Sequence, residues 1–320
     1  MVSWASTLHV SSKRSKGDHF ISYDNQAVVA FVINSTHASD AAQDFTPLIV
    51  CADDFGLEAG VDEAIVALAQ QGRISATGCL VQAPGFEASA KQLKGLPLDL
   101  GLHLNLTEPL GQTGLCMPLG QLLMRTYTRV ISRKAVAQQI ETQLDLFERH
   151  LGQVPDFVDG HLHVHQFPVV REVLIQAVQR RYSQHLPWVR DTRAAPPDKR
   201  LPARQRLKAW LIGALGATSL IRLAHQARMQ SNETFAGAYD FDRPHPDYAL
   251  MLRTWLTPAR AKMLVMVHPA KYASPELAFG QKRVEEYRVL SSDSFAQFLT
   301  QQRCQITRLS TLLDLHAHKT

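Results

Sequence analysis

At 320 residues, with 45% apolar and 20% charged composition, the chain is long enough for one large α/β domain or two smaller ones. Its formal net charge is only +5, and its basic residues are scattered, densest around Lys199, Arg200, Arg204, Arg206 and Lys208; with no basic tract interleaved with aromatics, nucleic acid is not an expected partner. Cys51, Cys79, Cys116 and Cys304 form no CxxC pair and no apolar run reaches the ~20 residues needed to cross a bilayer, so a cytoplasmic protein without a stable membrane anchor is expected.

Residues 1–46 fit poorly with the rest: Ser, Thr, Lys and Asn dominate as far as Asn25, followed by a lone apolar segment from Ala27 to Ile33. No basic start leads into a short apolar core and a small-residue cleavage site, so the stretch reads as a poorly ordered extension. Residues 47–320 read as a single domain. Leu48-Ile49-Val50-Cys51-Ala52 is an apolar run suited to a strand buried on both faces of a parallel sheet. It delivers Asp53, Asp54 and Gly56, then Val61, Ala64, Ile65, Leu68 and Ala69 at helical spacing. Side chains alternate along an extended segment, so the two carboxylates are expected to point opposite ways and do different jobs.

Further strands are expected at Ile74–Val81, Asp99–Leu106, Phe157–Asp159, Trp188–Arg190, Leu264–His268 and from Ile306, with helices at Phe86–Leu96, Ala135–Leu151, Pro168–Arg181, Leu207–Met229 and Ser292–Arg303. This alternation predicts an α/β fold, an irregular (β/α) barrel of TIM-barrel type with roughly seven units.

Four strand ends carry polar groups in apolar settings: Asp53 with Asp54; His103; Asp159 with His161, His163 and His165; and His268. A barrel gathers its strand ends on one face, so groups far apart in sequence converge there. One Asp and two His, with remaining positions left to water, make an open divalent-metal site of the hydrolytic kind. The three histidines spaced by two are expected to project from one side of an extended segment. Arg190, at another strand end, is expected to pair with Asp53 or touch substrate.

Several motifs in order then resemble a known family: Ala52-Asp53-Asp54-Phe55-Gly56-Leu57, Ser75-Ala76-Thr77, Gly101-Leu102-His103-Leu104-Asn105-Leu106-Thr107, Asp159-Gly160-His161-Leu162-His163-Val164-His165 with Pro168, and Val267-His268-Pro269. The chain resembles the YdjC-like carbohydrate deacetylases, which include chito-oligosaccharide deacetylases and hopanoid-associated relatives. The resemblance implies removal of acetyl groups from N-acetylated sugars with one divalent ion, Mg²⁺ or Zn²⁺. By position it implies Asp54, His103 and His161 as ligands, Asp53 as general base, and His268 as the acid that, protonated, serves the departing amine. Asp159 and His163 then fall behind the ligands, with Arg190 and His165 towards substrate, and a homodimer is implied by the resemblance alone. Two other readings of the same residues are a metal-dependent phosphoesterase, which needs more ligands, and a non-catalytic sugar-binding protein.

Overall fold

The computed structural model describes residues 45–111, 113–196, 199–240 and 247–317; the extension expected at 1–46 lies outside them apart from its last two residues. The central strand is β1 (Thr46–Phe55), where the apolar run is buried on both faces as expected. Around it run β2 (Ala76–Cys79), β3 (Asp99–Leu104), β4 (Phe157–Gly160), β5 (Trp188–Val189), β6 (Thr234–Ala236), β7 (Met263–Val267) and β8 (Cys304–Ile306). All the ladders are parallel, in the order β5-β4-β3-β2-β1-β7-β6, with β8 also pairing with the start of β1.

The seven-strand path curls, and its ends meet only through isolated parallel bridges, Val189 to Ser231 and Ala194 to Phe235. Asn232 helps fasten this join: its Oδ1 accepts from Asp191 N at 2.8 Å and its Nδ2 donates to Asp191 O at 2.9 Å. The architecture is therefore a curled parallel α/β sheet with seven strands on its path, not the regular eight-stranded ladder of a TIM barrel.

Alternation along the strands sorts the core into two layers. Leu48, Val50, Ala52, Leu100, Leu102, Leu104, Val158, Val189, Val265 and Val267 belong to the large core cluster shared with the helices. Ile49, Cys51, Ala76, Phe157, Trp188, Phe235, Leu264 and Met266 form the second cluster, inside the curl, where Phe157 and Trp188 stack at 4.3 Å. Glycine makes room in this interior: a Cβ on Gly101 would lie 2.3 Å from the Phe157 ring, and one on Gly78 2.9 Å from His103 Nδ1. Hence the period-2 pattern decides which residues face inward when each strand runs out.

The helix expected over Ala135–Leu151 runs from Arg133 to Leu151: it starts at a Ser132 cap, ends at left-handed Gly152, and buries Val136, Ile140, Leu144 and Phe147 on one stripe. The single helix expected over Leu207–Met229 is instead two, Ala203–Ala214 and Ala217–Gln226. The break falls at Gly216, whose φ is +121° and where a Cβ would lie 2.4 Å from the Gln166 carbonyl oxygen. The expectations omitted β6 and the helices Leu119–Tyr127, Tyr248–Trp255, Gly280–Leu290 and Leu309–Ala317. No single helix among the described residues is long and apolar enough to cross a membrane.

Candidate active site

Five polar side chains follow inward-facing core residues by two positions: Asp53 after Cys51, His103 after Gly101, Asp159 after Phe157, Arg190 after Trp188, and His268 after Met266. Parallel strands place all five at the carboxyl end of the sheet. Asp53, Asp54, His103, His161 and His268 line a cavity of about 890 Å³ there.

Asp54 breaks the alternation. Its φ is +71°, and the β1–β2 register slips between Ala52 and Phe55, so two consecutive carboxylates reach the same cavity. The expectation that they point opposite ways fails for this reason, although their partners do differ. Asp54 Oδ1 lies 3.1 Å from His161 Nδ1 and 3.4 Å from His103 Nε2, while Oδ2 accepts from Arg283 Nη2 at 2.7 Å. Burial opposes ionisation of Asp54, but Arg283 and the two imidazoles outweigh it and hold the carboxyl well below its usual range.

Asp53 is gripped by Arg190 through both oxygens, at 2.6 and 2.7 Å. The same guanidinium reaches Asp159 Oδ2 at 2.5 Å and Cys51 Sγ at 3.0 Å. Arg190 is wholly buried, so it anchors Asp53 from below and cannot touch substrate; that part of the expectation is corrected. Asp159 Oδ1 takes the other side of His103, 2.7 Å from Nδ1, which leaves Nε2 aimed at Asp54. Burial works against a charged imidazole at His103, yet Asp159 and Asp53 lift it to about 10. Burial likewise opposes the Asp159 charge, but Arg190 and His103 hold that carboxyl at about 2.

The three histidines do not project from one side. Gly160 is followed by a tight turn, His161–Gln166, in which Leu162 and His163 take left-handed φ values of +52° and +60°. His161 turns to Asp54, while His163 lines the cavity edge-on to Phe235 with ring centroids 5.7 Å apart. His165 faces inward, its Nε2 3.2 Å from Arg190 O, and burial pulls it down to about 4. Fully buried, His165 does not reach substrate either, because the turn folds it under the site.

His268 Nε2 stands 4.0 Å from Asp53 Oδ2. Burial holds this imidazole at about 4, against the opposing pull of Asp54 and Asp53. Its backbone N–H donates to Glu286 Oε2 at 2.6 Å, and Glu286 also accepts from Tyr239 and Tyr248 at 2.7 and 3.3 Å. Burial pushes Glu286 up to about 7.

Arg283 and Glu286 were missed in the sequence. They sit three residues apart on one face of helix Gly280–Leu290, a spacing that could have marked them had the helix been recognised. Glu108 was missed too: it lines the cavity 3.9 Å from His161 Nε2, after a turn in which Asn105 Oδ1 accepts from the N–H groups of Thr107 and Glu108. The cavity walls are completed by Leu119, Leu123, Lys208 and Tyr239 and by residues of the 274–279 segment.

Two sets of donors converge within 4.8 Å: Asp54, His103 and His161, and Asp53, His103 and Asp159. Ligands held at ~2.1 Å from one ion with angles of 90–109° lie roughly 3.0–3.4 Å apart, close to the 3.1 and 3.4 Å separations around Asp54 Oδ1. The first set therefore fits a divalent ion, and its members face the cavity. In the second set both carboxylates are already ion-paired with the buried Arg190 guanidinium.

The family model for YdjC-like proteins matches residues 47–301. A chitooligosaccharide deacetylase of Proteus mirabilis (strain HI4320) is 28% identical over 292 residues, covering 84% of this chain and 98% of that protein. A carbohydrate deacetylase of Mus musculus is 34% identical over 145 residues, 41% of this chain; the match spans about half of that relative's length, 47%. Among solved structures, a protein from Enterococcus faecalis V583 with a proposed role in cellobiose-phosphate cleavage superposes with a TM-score of 0.62 at 17% identity, over 84% of this chain and 99% of that one, which shows a shared fold. The chain belongs to the YdjC-like protein family.

Proposed function

We propose that this chain hydrolyses the N-acetyl group of an acetylated amino sugar or its oligomer, releasing acetate, with one divalent ion held by Asp54, His103 and His161. The observation that carries the reading is the arrangement around Asp54: three donors at ligand spacing on a cavity wall, beside a second carboxylate that is not needed as a ligand. The names of the relatives supply the substrate class. Zn²⁺ suits the two imidazoles, and Mg²⁺ is the alternative.

When bound, the ion polarises the amide carbonyl and brings its water towards ionisation near neutral pH. Asp53 accepts the proton of the attacking water, oriented for this by the two-oxygen grip of Arg190. His268, neutral at rest, stands 4.0 Å from Asp53 and hands a proton gained during turnover to the departing amine nitrogen. Glu286 holds the His268 backbone, and Asp159 fixes the tautomer and tilt of His103. Arg283 occupies Asp54 Oδ2 and so leaves Oδ1 facing the two imidazoles.

A phosphoesterase with two ions would need the Asp53, His103 and Asp159 set as well, and Arg190 already fills that role. The test is acetate release from N-acetylglucosamine and N,N′-diacetylchitobiose, with and without a chelator. The proposal expects release that stops with chelator and returns with Zn²⁺ or Mg²⁺. Binding of either sugar with no acetate formed under any metal would replace it with the sugar-binding reading.

A further inference from the structure

A second cavity of about 510 Å³ lies on the other side of helix Ala203–Ala214. The helix is a shared wall: Lys208 and Ile212 line the active-site cavity, whereas Arg206 and Trp210, again four residues apart, line the second. Three arginines line it, Arg193, Arg206 and Arg260, together with Trp210 and Trp255. Alanines and glycines make up much of the remaining wall and leave the volume open.

Among the described residues, one of these cations has a carboxylate partner. Arg193 pairs with Asp191 at 2.6 Å. Among the described residues no carboxylate pairs with Arg206 or Arg260. Arg206 Nε is buried with no hydrogen-bond partner, and the neighbouring Gln205, 3% exposed and also lining the cavity, has an unpartnered Oε1. Buried polar atoms are nearly always satisfied, so both atoms call for a partner that the described residues do not supply. A phosphate monoester supplies what both atoms lack: charged acceptor oxygens for the guanidinium groups, and in its monoanion a hydroxyl for Gln205.

We propose that this cavity is a second ligand site, distinct from the catalytic one, which binds a phosphate group carried on a short apolar body. The arginines take the phosphate, and Trp210, Trp255 and the small apolar side chains take the body. Recognition of the phosphate by charge makes binding salt-sensitive, and recognition of the body separates an alkyl phosphate from the free ion.

Isothermal titration of the full chain with hexyl phosphate, inorganic phosphate and the uncharged hexyl glucoside tests this. Expected are one hexyl phosphate bound per chain, inorganic phosphate at least about tenfold weaker, no glucoside binding, and weakening by added salt. The double variant Arg206→Gln/Arg260→Gln should lose at least about tenfold in hexyl phosphate affinity while releasing acetate like the wild type. His103→Ala should bind hexyl phosphate normally, which separates this site from the reading of the active site. Equal affinity in the double variant, equal binding of the glucoside, or no binding of either phosphate would overturn the proposal. Should the double variant melt early, salt dependence and the three-ligand ranking on the wild type decide the matter alone.

Discussion

Asp53 and Asp54 share a peptide bond but head different ionic networks. Asp53 belongs to a closed one, in which the buried Arg190 guanidinium lies between Asp53 and Asp159 and meets both at hydrogen-bond distance. Asp54 belongs to an open one, in which Arg283 neutralises one oxygen while the other faces two imidazoles on the cavity wall. A closed network has no use for a metal ion, since its carboxylates are already paired and the guanidinium cannot deprotonate. An open one turns a carboxylate oxygen that no guanidinium occupies, and two imidazoles, towards the cavity. Of two adjacent donor sets that share His103, the Asp54 set is therefore the one we propose as the metal site, because its free oxygen faces the cavity.

Breaking each network should have different consequences. The largest effect is expected for Asp54→Ala, His103→Ala and His161→Ala, each of which should lose bound metal and cut acetate release by about 10³-fold or more; elemental analysis and turnover check this. Asp53→Asn should reduce kcat by about 10²- to 10⁴-fold but keep the ion, which separates the base from the ligands. Arg190→Met opens the closed network and strands two buried carboxylates, at a cost of about 3–5 kcal/mol and roughly 10 °C in Tm, read by thermal unfolding. Arg283→Met should cost less, and least with metal present, because the ion compensates Asp54.

The smallest effect is protonic. With His103 held at about 10, its imidazole is charged at neutral pH, and Nε2 must lose a proton before it can ligate. Metal uptake at pH 7 should then release about one proton per chain, measured by titration in buffers of different ionisation heat, and affinity should rise with pH until about 10. If uptake at pH 7 releases no proton, His103 is already neutral in the metal-free protein.

Apart from β6, the strands were legible, and their inward faces with them, because alternation survives burial on both sides: knowing that Cys51, Phe157 and Met266 face inward already places Asp53, Asp159 and His268. Helix Arg133–Leu151 was legible for a similar reason, with its cap, stripe and glycine stop all local. What could not be read depended on backbone departing from regular geometry. The left-handed turn at Asp54 brings it beside Asp53, and those at Leu162 and His163 scatter three histidines that regular spacing would align. Arg190 and His165 looked like substrate contacts because a strand end says nothing of depth, and both lie beneath the cavity floor. Arg283 and Glu286 were invisible because helix Gly280–Leu290 is largely polar and turns charged groups, not an apolar stripe, towards the site.

The most direct test of the account is anomalous diffraction from crystals of this protein grown with Zn²⁺ or Co²⁺. A single peak within bonding distance of Asp54 Oδ1, His103 Nε2 and His161 Nδ1, with Arg190 still clamped on Asp53, is the predicted result. A peak between Asp53 and Asp159 with Arg190 displaced, or none near Asp54, would contradict it.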